Sequence, residues 1–190
     1  MELTDEALVA KARAGEADAF RALVERHSHR LFRLAYRMTG NQEDAEDVVQ
    51  DSFLRAFRRL DQLDGRGSFG TWLYRIAANC SVDLLSARKP RFEGSSGDGE
   101  IDDAVLSLPA RGPSPERFAV SSQIRDRLKE AMNELSPAER AAFVLRHFEG
   151  MRIEEVGRAL GCCGNAAKHS VFRAVHKFRR ALEPLANSAR

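Results

Sequence analysis

The sequence predicts an all-α protein: two small helical domains joined by a flexible linker, the C-terminal one a helix-turn-helix. Three observations carry that expectation. Apolar residues recur at three- and four-residue spacing through most of the chain, as amphipathic helices require. No stretch alternates apolar and polar residues with period two for long enough to argue for a sheet. Between two helical blocks lies a segment rich in Gly, Ser and Pro that lacks the apolar content to fold alone. The expected division is residues 1–91, a linker over 92–116, and residues 117–190.

In the first block, Ala17, Phe20, Leu23, Val24, His27, Leu31, Leu34 and Ala35 trace one helical stripe. Thr39-Gly40-Asn41 interrupts it. Asn41 is placed to cap the next helix, with Glu43 and Asp44 in the first turn, where the helix dipole favours acids. That helix is expected to bury Ala45, Val48, Val49, Phe53, Ala56, Phe57 and Leu60. Asp64-Gly65-Arg66-Gly67-Ser68 reads as a loop. A further helix, from about Phe69 or Thr71 to Ala87, carries Trp72, Leu73, Ile76, Ala77, Cys80, Leu84 and Leu85, and Pro90 marks its end. The acidic Gly/Ser run from Glu93 to Glu100, then Pro109, Gly112, Pro113 and Pro115, make the linker, with Ile101, Val105 and Leu108 as apolar exceptions suited to docking on a partner.

The second block opens with the stripe Phe118, Ile124, Leu128, Ala131, Met132 and Leu135. Ser136-Pro137-Ala138-Glu139 supplies an N-cap, a proline at the first helical position and a capping-box glutamate. Ala142, Leu145 and Phe148 continue that helix to Gly150. Met151 to Gly161 then reads as a short helix with Ile153, Val156 and Leu160 inward, closed by a glycine suited to a left-handed cap. Cys162-Cys163-Gly164 connects it to a longer helix from about Asn165 to Leu182.

Two helices joined by a tight glycine-containing turn make the DNA-binding helix-turn-helix. Ala167, Val171, Ala174, Val175, Phe178 and Leu182 form the inward stripe of the second helix, while Lys168, His169, Phe172, Arg173, His176 and Lys177 lie largely on the other side. Cations there suit phosphate or guanine O6/N7, and an exposed Phe suits a thymine methyl. An ordinary solvated face with Phe172 in the core is the competing reading.

Bulk properties narrow the classes. The 190 residues suffice for two small domains, and 43% apolar residues allow packed cores. The net charge of +2 is nearly balanced, but residues 168–180 carry five Lys or Arg and no acid, whereas Glu43 to Asp51 is acidic. That asymmetry fits one DNA-facing surface and one surface for a basic partner. Met1 to Asp5 lacks the features of a secretory signal, and no apolar run approaches a membrane span, so a cytoplasmic protein with reduced thiols and no membrane insertion is expected. No Gly-rich phosphate loop, G-x-S-x-G elbow or H-E-x-x-H occurs, so neither catalysis nor a cofactor is expected. Adjacent cysteines point in different directions, so Cys162 and Cys163 with His169 and His176 are not expected to hold a metal. Cys80 is expected in the core, and His27 and His29 on an ordinary helix surface.

Phe69 to Asn79 packs three aromatics around a loop–helix junction, followed by Arg75, Arg88, Lys89 and Arg91. Aromatics beside cations can stack unpaired bases, although Trp72 and Ile76 fit a plain core role equally well. Asn79 reads either as a base-edge reader or as a polar helix-face residue.

Asn41 to Phe53, with its D-V-V-Q string, then Phe69 to Ala77, with T-W-L-Y-R-I-A, then the Ser136–Glu139 box and the helix-turn-helix resemble bacterial sigma factors of the extracytoplasmic-function class, in order and over nearly the whole chain. The resemblance implies an N-terminal domain that docks on core RNA polymerase and melts the −10 element, and a C-terminal domain that reads the −35 element. It implies core-polymerase-binding residues at Asp44, Asp47, Gln50, Asp51 and Phe53, facing the β′ clamp helices, and a contact with the β flap. It implies −10 binding and melting by Leu63, Asp64, Arg66, Trp72, Tyr74, Arg75, Asn79 and Arg88, the loop from Asp61 to Arg66 capturing a flipped base. The helix-turn-helix residues named above become the −35 readers, and an anti-sigma partner that holds the protein inactive is implied as well. Two departures stand out. Asn165-Ala166-Ala167-Lys168-His169-Ser170 differs from the family's usual recognition-helix start, and Leu63 replaces an aromatic found in some members. The rival functions are a regulator that binds duplex DNA alone, which has no use for a melting platform, and a protein-interaction module whose acidic helix and linker bind a regulator.

Overall fold

The structure is a computed structural model that describes residues 3–63, 67–88 and 126–188. It divides into two compact units, Met1–Ile101 and Asp102–Arg190. All regular structure among the described residues is helical.

In the first unit, α1 spans Asp5–Arg13, α2 Ala17–Thr39, α3 Gln42–Arg58 and α4 Phe69–Arg88, with a 3-10 turn at Leu60–Gln62. Local chemistry sets the ends. The Thr4 side chain accepts from the Ala7 amide at the start of α1. Gly40 ends α2 in the left-handed region, φ 84°, with its amide returned to the Tyr36 carbonyl. Asn41 caps α3 as expected, its side chain accepting from the Asp44 amide at 2.8 Å. The Ser68 hydroxyl receives the Thr71 amide at the start of α4.

Helix α2 packs against α1, α3 and α4, and α3 packs against α4. Leu23, Leu31, Leu34, Val48 and Leu73 are buried at their junctions. Burial at roughly 25 cal/mol per Å² of apolar area drives this assembly. Helix α1 is pinned at both ends. Asp5 accepts from Arg26 at 2.6 Å and meets His27 at 2.8 Å. Burial opposes the Asp5 charge, but hydrogen bonds from Arg26 and His27 hold its carboxyl below the usual range. At the other end, the Arg13 guanidinium donates to the carbonyls of Leu60 and Leu63.

Two expectations are corrected here. Phe57 is exposed rather than inward: the buried face of α3 centres on Ala45, Val48, Ser52 and Ala56, and one further residue rotates Phe57 out to meet the Phe20 ring at 4.9 Å. His27 is buried rather than on an ordinary surface, because α1 covers it and its ring packs on Phe69 at 5.2 Å. Cys80 is buried, in line with its expected core position.

In the second unit, α5 is described over 126–133, followed by α6 at Pro137–His147, α7 at Ile153–Ala159 and α8 at Gly164–Ser188. The Ser136–Glu139 capping box forms in full. Helix α8 packs on both α6 and α7. Ala131, Leu135, Ala174 and Phe178 form a core, with Leu128, Met132 and Phe143 against it; Phe143 and Phe178 stack at 4.5 Å. Arg140, nearly buried, donates to the Met132 carbonyl and to Asn133, closing the turn between α5 and α6. Burial lowers its pKa to about 10, so it stays charged at neutral pH. Phe118, Ile124 and the linker lie outside the described residues.

Candidate polymerase and nucleic-acid interfaces

The outer face of α3 follows from its 100° step. Asp47, Gln50, Asp51 and Leu54 fall within one sector, and all four are exposed. They edge a cleft of about 550 Å³ between α3 and α4, which Cys80, Asp83 and Leu84 also line. Arg55 crosses it, donating to Asp51 at 3.0 Å and reaching Asp83 at 3.5 Å. Three carboxylates against one guanidinium leave the cleft acidic. Burial pushes the Cys80 thiol up, so it lines the floor as a neutral group.

Two residues expected on this surface are elsewhere. Asp44 is 2% exposed, its carboxylate taken by the Asn41 side chain and by Arg88. Phe53 is buried in the bundle. The two lie about half a turn apart, at opposite edges of the buried face of α3: Asp44 meets Arg88 of α4, and Phe53 packs into the bundle.

On α4, Trp72, Arg75 and Asn79 share one face. Trp72 is half-buried with its ring 6.0 Å from Phe69, and Asn79 is exposed, its amide donating to the Arg75 carbonyl at 2.9 Å. Tyr74 and Leu63, expected among DNA-contacting residues, are buried at 7% and 9% exposure. Tyr74 belongs to the inward stripe beside Leu73, with the Arg30 guanidinium 5.9 Å from its ring centroid. Leu63 is held by its carbonyl, which accepts from Arg13. Arg88 projects away from the Trp72 face and pairs with Asp44. Asp64 and Arg66 lie outside the described residues.

The second helix of the helix-turn-helix exposes five of the six residues expected to meet DNA. Lys168, His169, Phe172, Arg173 and His176 are all exposed, opposite the buried Ala167, Ala174 and Phe178. Phe172 stands 66% exposed, which rules out the core alternative, and His176 stacks near it at 6.5 Å. Asn165, on the same face at the helix start, is a candidate that the pattern did not single out. The turn is held by the Cys162 amide donating to the Gly157 carbonyl at 2.9 Å, and Gly161 takes φ 64° as a left-handed cap. Cys162 and Cys163 are exposed free thiols. Among the described residues, no group of three or more His, Cys, Asp or Glu is placed to hold a metal ion, and no helix is long and apolar enough to cross a membrane.

Lys177 is only half-exposed and points back into the unit. It donates to Glu139 at 2.8 Å and to the Glu134 carbonyl at 2.9 Å, while Arg173 Nε donates to Glu139 at 2.8 Å. Burial alone would raise the Glu139 carboxyl. The hydrogen bonds from Lys177, the Ser136 amide and Arg173 outweigh it and hold the group at about 2, against an ordinary 4.5. The unfolded chain therefore takes up this proton first as pH falls. The contribution is fully present above about pH 4.5, shrinks towards pH 2 and is gone below it. Its upper bound is about 3 kcal/mol, reduced by the solvent exposure of both cations. Acid titration of helicity should show the second unit losing stability through this window, and losing less of it in Glu139→Gln. Equal acid sensitivity in the two proteins would remove Glu139 from the account.

Comparison with known proteins gives these two units a common context. Residues 23–91 match the Sigma-70 region 2 family and residues 125–178 match Sigma-70, region 4. The RNA polymerase sigma-H factor of Pseudomonas aeruginosa is 31% identical over 97% of both chains. The ECF RNA polymerase sigma-E factor of Escherichia coli K12 is likewise 31% identical, again over 97% of both. Among solved structures, CnrH in complex with the cytosolic domain of CnrY is similar at a TM-score of 0.63 and 28% identity, covering 95% of this chain and 97% of that one. The Bartonella quintana sigma factor RpoE, solved with the anti-sigma factor NepR, shares the fold at a TM-score of 0.60 and 24% identity, over 86% and 96% of the two chains. With region 2 supplying the acidic α3 and the Trp72 face, and region 4 supplying the helix-turn-helix, the chain belongs to the ECF sigma factors of the sigma-70 family.

Proposed function

We propose that this sigma factor docks on core RNA polymerase chiefly through the outer face of α3, captures and opens the −10 element at the α4 face, and reads the −35 element with α8. What carries the reading is the presence in one chain of two oppositely charged surfaces, each with exposed apolar side chains. On α3, Asp47, Gln50 and Asp51 adjoin exposed Leu54 and Phe57, which suits a basic amphipathic helix such as the β′ clamp helices. On α8, Lys168 and His169 flank exposed Phe172, which suits a major groove. The −10 work falls to Trp72, Arg75 and Asn79, one face of α4, together with Asp64 and Arg66, which precede that helix in the sequence. Phe148, exposed at the end of α6 beside Phe143 at 6.1 Å, offers an apolar contact for the β flap. Residues 1–91 and 117–190 are the proposed functional domains, with 92–116 as linker.

An anti-sigma partner completes the proposal. The related CnrH was solved with the cytosolic domain of CnrY. The apolar edge of α3 supplies a surface that such a partner would cover while polymerase is excluded.

Start sites mapped after overexpression supply the promoter for a purified assay with core RNA polymerase. The protein is expected to direct initiation there. Phe172→Ala should lower −35-dependent initiation roughly tenfold, the loss of about 1.4 kcal/mol of base contact, and leave core binding unchanged. Asp47→Ala should weaken core binding and leave duplex binding by the free protein unchanged. Tight duplex binding with no promoter opening would instead make the protein a duplex-only regulator.

A further inference from the structure

We propose that Glu139 is a positioning residue for the −35-reading helix: it fixes Arg173 for base contact and withholds Lys177 from the DNA backbone, and so sets the balance between specific and non-specific binding. The proposal rests on α8 reading the −35 element and adds to that reading.

A capping-box glutamate needs one oxygen, turned back to the N-cap amide. Glu139 does this with Oε2, which accepts from the Ser136 amide at 3.0 Å. Its other contacts go 34 and 38 residues along the chain. Oε1 accepts from Arg173 Nε at 2.8 Å, and Oε2 also accepts from Lys177 Nζ at 2.8 Å. The side chain is 7% exposed, so its charge sits where an unpaired carboxylate would be costly. The two cations differ in what remains for DNA. Arg173 is 56% exposed, and with Nε bound to Glu139 and Nη2 3.4 Å from the Ser170 hydroxyl its planar fork is held facing outward. The Lys177 ammonium is shared between Glu139 and the Glu134 carbonyl.

Phosphate contacts carry affinity without sequence information, at a salt slope of about 0.9 per neutralised phosphate. A lysine withheld from phosphate removes one such unit, while a braced arginine keeps its geometry for a base edge. Wild-type α8 thus trades non-specific affinity for specificity.

The full-length protein is titrated with a labelled 30-base-pair duplex of mixed sequence, and with the mapped promoter duplex, across a range of salt. E139Q keeps a side chain able to close the capping box but lacks the charge. It is expected to bind the mixed duplex several-fold more tightly, with a slope steeper by about 1 to 2, and to prefer the promoter less. K177M in the wild-type background is expected to leave the slope unchanged. Weaker mixed-duplex binding by folded E139Q at an unchanged slope overturns the proposal, leaving Glu139 a cap. A slope reduced by about 1 in K177M overturns it as well, and decides the matter even if E139Q fails to fold. Failure of the −35 reading itself shows separately, as promoter binding unaffected by Phe172→Ala.

Discussion

Replacing Gly157 by alanine is expected to abolish −35 recognition while leaving the N-terminal unit folded. A Cβ at this position would stand 2.9 Å from the Cys162 carbonyl oxygen and 3.4 Å from the Gly164 nitrogen. Both are backbone atoms, so no side-chain rotation relieves the contact. Two effects compete. Alanine in a helix interior gains about 1 kcal/mol over glycine. Overpacking a tight contact costs about 1–3 kcal/mol, and a backbone neighbour puts this site at the upper end. The clash wins by about 1–2 kcal/mol on those figures. The functional loss exceeds the stability loss, because the Cys162–Gly164 segment leads straight into α8 and its backbone bond to Gly157 sets where that helix starts. A displacement of that start carries Lys168, His169 and Phe172 away together. Binding of the Gly157→Ala holoenzyme to −35 promoter duplex, compared with wild type, measures it. Unchanged affinity would show that the turn yields without moving the helix.

The second large effect is Leu73→Ala, expected to destabilise the N-terminal unit by about 2–5 kcal/mol. Leu73 has no exposed surface and sits on the α4 face that meets α2 and α3. Against the roughly 5–15 kcal/mol that holds a typical domain, such a cavity takes a large share. The chain has a single tryptophan, Trp72, on the neighbouring position of α4. Urea unfolding followed by its fluorescence therefore reports the N-terminal unit alone. The midpoint should fall while the second unit's helicity persists to its usual urea concentration. An unfolding free energy within about 0.5 kcal/mol of wild type would mean the site collapses around the smaller side chain.

What the sequence made legible was local. The Asn41 cap and the Ser136–Glu139 box are i to i+3 patterns, and both form. The two faces of α8 follow from a single helical period, so Ala167, Ala174 and Phe178 fell inward and Phe172 outward. Errors came where a neighbouring helix decides. Phe57 belongs to an apolar stripe by composition, yet the buried sector of α3 ends one residue earlier, at Ala56. His27 became a buried partner of Asp5 only because α1, a nine-residue helix that the pattern did not single out, lies over it. Asp44 and Arg88 each looked like an exposed charged ligand; 44 residues apart, they find each other. Separation along the chain hid Glu139 as well, 34 and 38 residues from its two cations. Its capping role was visible from Ser136, whereas its hold on Arg173 and Lys177 depends on how α6 and α8 pack.

The opposed faces of α8 bear on how promoter preference can change over generations. The side chains that anchor the helix, Ala167, Ala174 and Phe178, are not the ones proposed to meet a groove. Lys168, His169 and Phe172 touch little of the protein's interior, so they are free to be exchanged at almost no folding cost. A duplicated copy of this chain can therefore drift toward a new set of promoters through a few surface substitutions. Arg173 is the exception. Its partner is a charge buried in another helix, so any successor at that position has Glu139 to satisfy. Divergence within such a lineage should spare that pair while its surroundings turn over.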